Sequence, residues 1–327
     1  MGVHLWDTEG SVDMITRMWM TLALAAALAA AGGCGEPEDA PPGRSSQTRP
    51  GRPAPRAAEG GSVWTVERVA VVEKMLVPEC VVVDPDTGAA YVSNIEAAEG
   101  GYWSDDGKGF IARLKPGGEL DALRWRDSGP RAPLNAPKGM CLMKGSLYVA
   151  DNTRVTRFVL AVPAAAGTVR GIAGRRLNDM ATDGRAAYVS DTAAGKVYEI
   201  REDGPREVPA PEGVNGITFF DGKMFAVSWS GHEVYELDPS GKAAPAPFGV
   251  AGHFKALDGI EVLDDGTFVV SDNPGNRVCT IGPDRRTVRT LCEPNTPADI
   301  GLDRRRGLLY VPSFEGNRVI VYKLTRK

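Results

Sequence analysis

Aromatic residues make up only 7% of this 327-residue sequence, and histidine occurs three times. One of the three, His4, precedes any segment that could fold, which argues against a histidine-rich zinc centre. No cluster of lysine and arginine stands out, and the formal charge is −4, so a nucleic-acid partner is set aside. No apolar run reaches the roughly 20 residues of a membrane-spanning helix; the longest candidate, Met18–Ala30, is too short and ends in small residues. Glycine (39) and proline (24), by contrast, are plentiful. That balance suits many short strands joined by tight turns better than a helical bundle.

The N-terminal region reads as a targeting segment. In MITRMWMTLALAAALAAAGGC (residues 14–34), Arg17 is a basic start, Met18–Ala30 an apolar middle, and Ala31-Gly32-Gly33 the small residues that precede a cleavage point. Cys34 follows directly, so residues 1–34 resemble a signal peptide with a bacterial lipobox, in which Cys34 is lipidated. A plain secretory signal with an incidental cysteine is the alternative. Translation starting at Met14 or Met18 would put this signal at the very N-terminus. Gly35 rather than Asp after the cysteine carries no inner-membrane retention signal. Residues 35–61, rich in Pro, Gly, Ala and Arg without a hydrophobic period, are expected to be a disordered tether. The expected location is the cell envelope or periplasm, membrane-anchored through lipid only, and otherwise secreted.

Four further cysteines occupy a compartment that permits disulfides. Cys279 and Cys292 flank a turn at Arg285-Arg286 and could form a cross-strand disulfide or remain two buried thiols. Cys80 and Cys141 fall on neighbouring strands, with their pairing open.

One phrase recurs six times from Glu79 onward: a polar pair, an apolar strand, a turn, and a second strand ending in a small or acidic residue. The copies are PECVVVDPDTGAAYVSN, PKGMCLMKGSLYVAD, LNDMATDGRAAYVSD, VNGITFFDGKMFAVSW, LDGIEVLDDGTFVVSD and PADIGLDRRRGLLYVPS. A spacing of about 40 residues with four short strands per unit is the mark of a propeller blade. Residues 62–327 are therefore expected to be all-β, a six-bladed propeller. Its last blade lacks an outer strand, and VWTVERVAVV (63–72) is placed to supply it and close the ring.

In a blade the first strand lines the central channel, so the six polar pairs converge at one mouth. Their first residues are Glu79, Lys138, Asn178, Asn215, Asp258 and Ala298; their second residues are Cys80, Gly139, Asp179, Gly216, Gly259 and Asp299. Carboxylates and carboxamides meeting there make hard oxygen ligands suited to Ca²⁺, Mg²⁺ or Mn²⁺. Ordered water and strand capping would use the same groups. The long first interval holds the insertion Ile95–Gly109 (IEAAEGGYWSDDGKG), which could lie over the mouth as a lid or run free as a surface loop. Trp229, His232 and His253 are expected at the same rim.

These copies resemble the gluconolactonase/regucalcin (senescence-marker-protein) family along essentially the whole propeller. The resemblance rests on Glu79 in PEC, Asn215 in VNGITF, Asp258 in LDGIEV and the segment Arg176-Leu177-Asn178-Asp179. It implies one divalent metal held by Glu79, Asn215 and Asp258. Ca²⁺ is the first expectation, with Zn²⁺, Mn²⁺ and Mg²⁺ as alternatives. Arg176 and Asn178 would contact a small-molecule substrate. Departures at Cys80-Val81 and at Met180, where the family has Gly-Pro and Gly, alter the pocket wall, so sugar-lactone specificity does not carry over.

The activity that the resemblance implies is metal-dependent hydrolysis of a lactone or related cyclic ester. Asp258, or else Asp179, would take the proton from water. Lys138 would face developing negative charge or form a salt bridge to Glu79 or Asp299. The rival is a non-catalytic propeller lipoprotein, a scaffold for a ligand or a protein.

Overall fold

The computed structural model describes residues 63–97, 101–162 and 164–327. The signal segment with Cys34 and the tether 35–61 lie outside the described residues. Among the described residues, apart from one 3-10 turn at Ala251–His253, the regular structure is all strand. Among the described residues no helix is long and apolar enough to cross a membrane.

The strands form six four-stranded antiparallel sheets. Inner strands are Pro78–Val83, Pro137–Met143, Leu177–Thr182, Val214–Phe220, Leu257–Val262 and Gly301–Asp303. Five of the six second strands, for example Ala90–Asn94, Ala187–Asp191 and Phe268–Asp272, are buried along their whole length, and in Lys223–Ser228 only Lys223 is exposed. Their β-branched and aromatic residues pack both faces of a sheet that has blades on either side. Tight hairpins join first and second strands; at Asp221-Gly222 both residues have positive φ (49° and 73°), which an Asp-Gly pair tolerates.

Sheet stacks on sheet around a ring, so the core is annular. Six apolar clusters fill it, each between two adjacent blades, such as Val92 and Phe110 of the first blade against Tyr310 and Val319 of the sixth. The ring closes as the sequence predicts. Trp64–Val72 pairs antiparallel with Arg318–Arg326, running from Trp64 opposite Arg326 to Val72 opposite Val319. The sixth sheet therefore joins the two ends of the propeller.

Five inner strands carry a bulge at the same place. In each, the ladder shifts across the polar pair, as between Pro78 and Val81 or between Leu257 and Ile260. The extra residue breaks strict alternation, so both members of a pair can turn toward the channel. The acid ending the second strand holds the segment that enters the blade. Asp151 accepts the Asn135 and Ala136 N–H groups, Asp191 those of Arg175 and Arg176, and Asp272 those of Lys255 and Ala256.

All four described cysteines are free. The Cys279–Cys292 disulfide is not formed, because the hairpin register that sets Ile281 opposite Val288 puts Cys279 opposite Thr290, and Cys292 falls opposite Val278. Cys80 and Cys141 lie on adjacent inner strands but pack into different inter-blade clusters.

Candidate functional site

The bulged pairs bring the expected residues to one mouth of the channel. Glu79, Lys138, Asn178, Asn215 and Asp258 are each at most 7% exposed, although all are polar or charged. Such burial has to be compensated by partners. Asn215 Nδ2 donates to Asp258 Oδ1 at 2.9 Å, and Asn273 Nδ2 donates to Asp258 Oδ2 at 3.2 Å. Asn178 Nδ2 donates to Thr192 Oγ1 at 3.3 Å. Glu79 Oε2 is buried and has no hydrogen-bond partner.

Burial dominates the protonation of these groups. It raises Glu79 well above the usual carboxylate range; the Lys138 ammonium opposes this, while Asp258 and Asp179 add to it. Asp258 is pushed up to about 6 by burial, against the Asn215 and Asn273 hydrogen bonds and Lys138. Lys138 is itself lowered by burial, offset by Glu79 and Asp258.

Lys138 makes neither of the expected salt bridges. Its Nζ donates to the Tyr102 carbonyl oxygen at 2.9 Å and sits 4.1 Å from the centre of the Trp103 ring. Residues 101–109 of the insertion thus lie over the mouth as a lid. Tyr102 meets Phe314 of the sixth blade edge-on at 4.9 Å. The Arg176 guanidinium is 5.3 Å from the Trp103 ring centre. Asn152 Nδ2 donates to Asp105 Oδ1 at 2.6 Å, and Asn135 Oδ1 accepts the Gly107 N–H at 3.1 Å. Cation–aromatic contacts and hydrogen bonds fix the lid to the second and third blades, and the Tyr102–Phe314 ring pair fixes it to the sixth.

Asp179 is not at this mouth in the same sense. Its Oδ2 accepts the Ile217 N–H and its Oδ1 the Met180 N–H, both at 2.6 Å, and it lies one layer deeper beside Asp299. Burial raises Asp179 to about 7 and Asp299 well above the usual range. A cavity of about 290 Å³ runs from this deeper layer toward the opposite face of the propeller, past Glu261 and Arg304.

A hard divalent cation fits the Glu79–Asn215–Asp258 set. Glu79 offers a buried oxygen without a donor, Asp258 a carboxylate, and Asn215 a carbonyl oxygen not used in its hydrogen bond to Asp258. Sequence reasoning missed Asn273, Thr192 and Asn152. Each follows directly after the acid that ends a second strand (Asp272, Asp191, Asp151), and that position was the available signal.

No protein-family model matches the chain, and no curated protein sequence matches it. Solved structures do. A gluconolactonase from Xanthomonas campestris superposes with a TM-score of 0.60 at 16% identity, over 85% of this chain and 99% of that one. Luciferin-regenerating enzyme gives 0.58 at 15%, over 81% and 95%. A catalytically inactive variant of virginiamycin B lyase from Staphylococcus aureus, solved with quinupristin, gives 0.56 at 14%, over 80% and 100%. The chain is similar in its propeller fold to gluconolactonase-like and lyase structures alike, and the likeness is one of fold.

Proposed function

We propose that this propeller is a divalent-cation-dependent hydrolase of a lactone or related cyclic ester, working in the cell envelope. The observation that carries the reading is the meeting of Glu79, Asn215 and Asp258 at one buried mouth, with Glu79 Oε2 lacking any partner. A cation held by these three would polarise an ester carbonyl and lower the pKa of water. Asp258, at about 6, is largely ionised at neutral pH and serves as the base that takes a proton from water. Asp179 is less suited, because it lies one layer deeper, beside Cys80 and Asp299, away from the Glu79–Asn215–Asp258 set. Lys138, buried beside Glu79 and Asp258, faces the negative charge that develops on the carbonyl oxygen. Arg176 and Asn178 orient substrate hydroxyls at the rim. Trp103 excludes water while seated on Lys138, and a substrate enters when it lifts.

The closed lid also supports a second reading, a non-catalytic platform whose polar mouth serves only to hold the insertion. Calorimetric titration with Ca²⁺, Mn²⁺ and Zn²⁺, beside Asp258→Ala, separates the two. The hydrolase reading expects a tight site that the substitution removes, and turnover of at least one member of a lactone panel. Cation binding without turnover of any lactone favours the platform. An Asp258→Ala protein that binds as tightly as the parent sinks the hydrolase. Anchoring at Cys34 is checked by fatty-acid labelling, which Cys34→Ser should abolish.

A further inference from the structure

The second residues of the six pairs form their own layer below the mouth, three of them with polar side chains and three of them glycines. Cys80, Asp179 and Asp299 converge, with the thiol sulfur and one oxygen of each carboxyl all within 4.8 Å of one another. None is more than 7% exposed. The remaining three positions are Gly139, Gly216 and Gly259. A Cβ on Gly139 would collide with Asp179, and one on Gly259 with Asp299 Oδ1. Glycine at those places is what lets the acids reach the channel axis.

The three side chains are held differently. Cys80 and Asp299 are locked side by side, since the Asp299 N–H donates to the Glu79 carbonyl at 2.8 Å and the Val81 N–H to the Asp299 carbonyl at 3.3 Å. Asp179 is fixed by its two backbone donors. The Asp299 carboxylate, by contrast, takes no hydrogen bond from outside the cluster and forms no ion pair among the described residues. It is a nearly fully buried carboxylate directed at a thiol and a second carboxylate. Lys138, the buried ammonium of the channel, is engaged with the lid. The cavity of about 290 Å³ begins at these three groups, on the side away from the lid.

We propose that Cys80, Asp179 and Asp299 form a second cation site in the channel, taking Zn²⁺ or a similar borderline-soft divalent ion. One thiolate and two carboxylates are three ligands of a tetrahedral site, and the cavity leaves the fourth position to water. The thiolate sets this layer apart from the all-oxygen mouth and disfavours Ca²⁺ and Mg²⁺. Binding releases the Cys80 proton together with the protons that burial keeps on Asp299 and in part on Asp179. The ion would tie the first, third and sixth blades together across the axis.

Cobalt(II) added to the chelator-stripped full chain is the test, because a thiolate ligand gives a near-ultraviolet charge-transfer absorption that oxygen ligands do not. The parent protein should show that band, and Zn²⁺ should displace it. Asp258→Ala should keep the band, which makes the result independent of the hydrolase reading. Cys80→Ser should abolish it, and Asp299→Asn should weaken cobalt affinity at least about tenfold. A parent protein without the band overturns the site, as does a band that survives in Cys80→Ser and disappears in Cys141→Ser or Cys292→Ser. Should Cys80→Ser fail to fold, Asp299→Asn decides alone: unchanged affinity overturns the proposal.

Discussion

At the scale of single residues, Asp258 is clamped between two amides, Asn215 on the neighbouring blade and Asn273 on its own. Both favour the charged carboxylate, so losing either raises its pKa further. Asn273→Ala should therefore move the acidic limb of a cation-binding pH profile upward by about one unit or less, without abolishing binding. The buried channel acids make stability depend on pH in the opposite sense to a salt-bridged carboxylate. Asp258 at about 6 and Asp179 at about 7 lie above the ordinary value of 3.8 that they regain on unfolding. The folded chain thus keeps protons that the unfolded chain has released between about pH 4 and 7, and stability falls as pH rises through that window. Asp258 alone accounts for a loss on the order of 3 kcal/mol. Urea midpoints at pH 5 and pH 8 in chelator should show the decline, and added divalent cation should shrink it.

At the scale of elements, Asp151, Asp191 and Asp272, the acids that end three of the second strands, hold the entry segments of their blades. Asp191 accepts N–H groups from Arg175, Arg176 and Ala194. Asp191→Ala strands these donors, and a loss of about 2–5 kcal/mol is expected in chemical denaturation. Asp191→Asn should recover part of it. The lid should respond separately from the blades. Asn152 links its second blade to Trp103, Ser104 and Asp105, and the lid contributes little to the inter-blade clusters. Asn152→Ala should speed proteolytic cleavage within residues 95–109 severalfold while leaving the melting temperature within a few degrees.

The whole molecule depends on closure. Trp64–Val72 supplies the outer strand of the last blade, and Trp64 Nε1 also donates to Asp265 Oδ2 of the fifth at 3.0 Å. Removing residues 63–72 exposes a full strand edge at Arg318–Arg326 beside an incomplete apolar cluster. The truncated chain should aggregate or lose cooperative unfolding, read by size-exclusion chromatography and circular dichroism. A truncated chain that stays monomeric and unfolds in one sharp transition would show that closure is dispensable.

The repeat, the number of blades, the closing strand and the convergence of Glu79, Asn215 and Asp258 were all legible in the order of residues. Each follows from a local rule, strand alternation and turn chemistry repeated about every 40 residues, and ring symmetry does the rest. Other features depended on three-dimensional register. The hairpin register that sets Cys279 opposite Thr290 decides that no disulfide forms, and no pattern in RVCTI or VRTLC announces it. Lys138 could have paired with Glu79 or Asp299; the path of the insertion gave it Tyr102 and Trp103 instead. The separation of a hard oxygen mouth from a deeper Cys80–Asp179–Asp299 layer likewise arose only when six bulged strands met around one axis. Sequence determines which groups a blade offers to the channel, but their protonation and partners depend on neighbours contributed by other blades, at distances that only the closed ring sets.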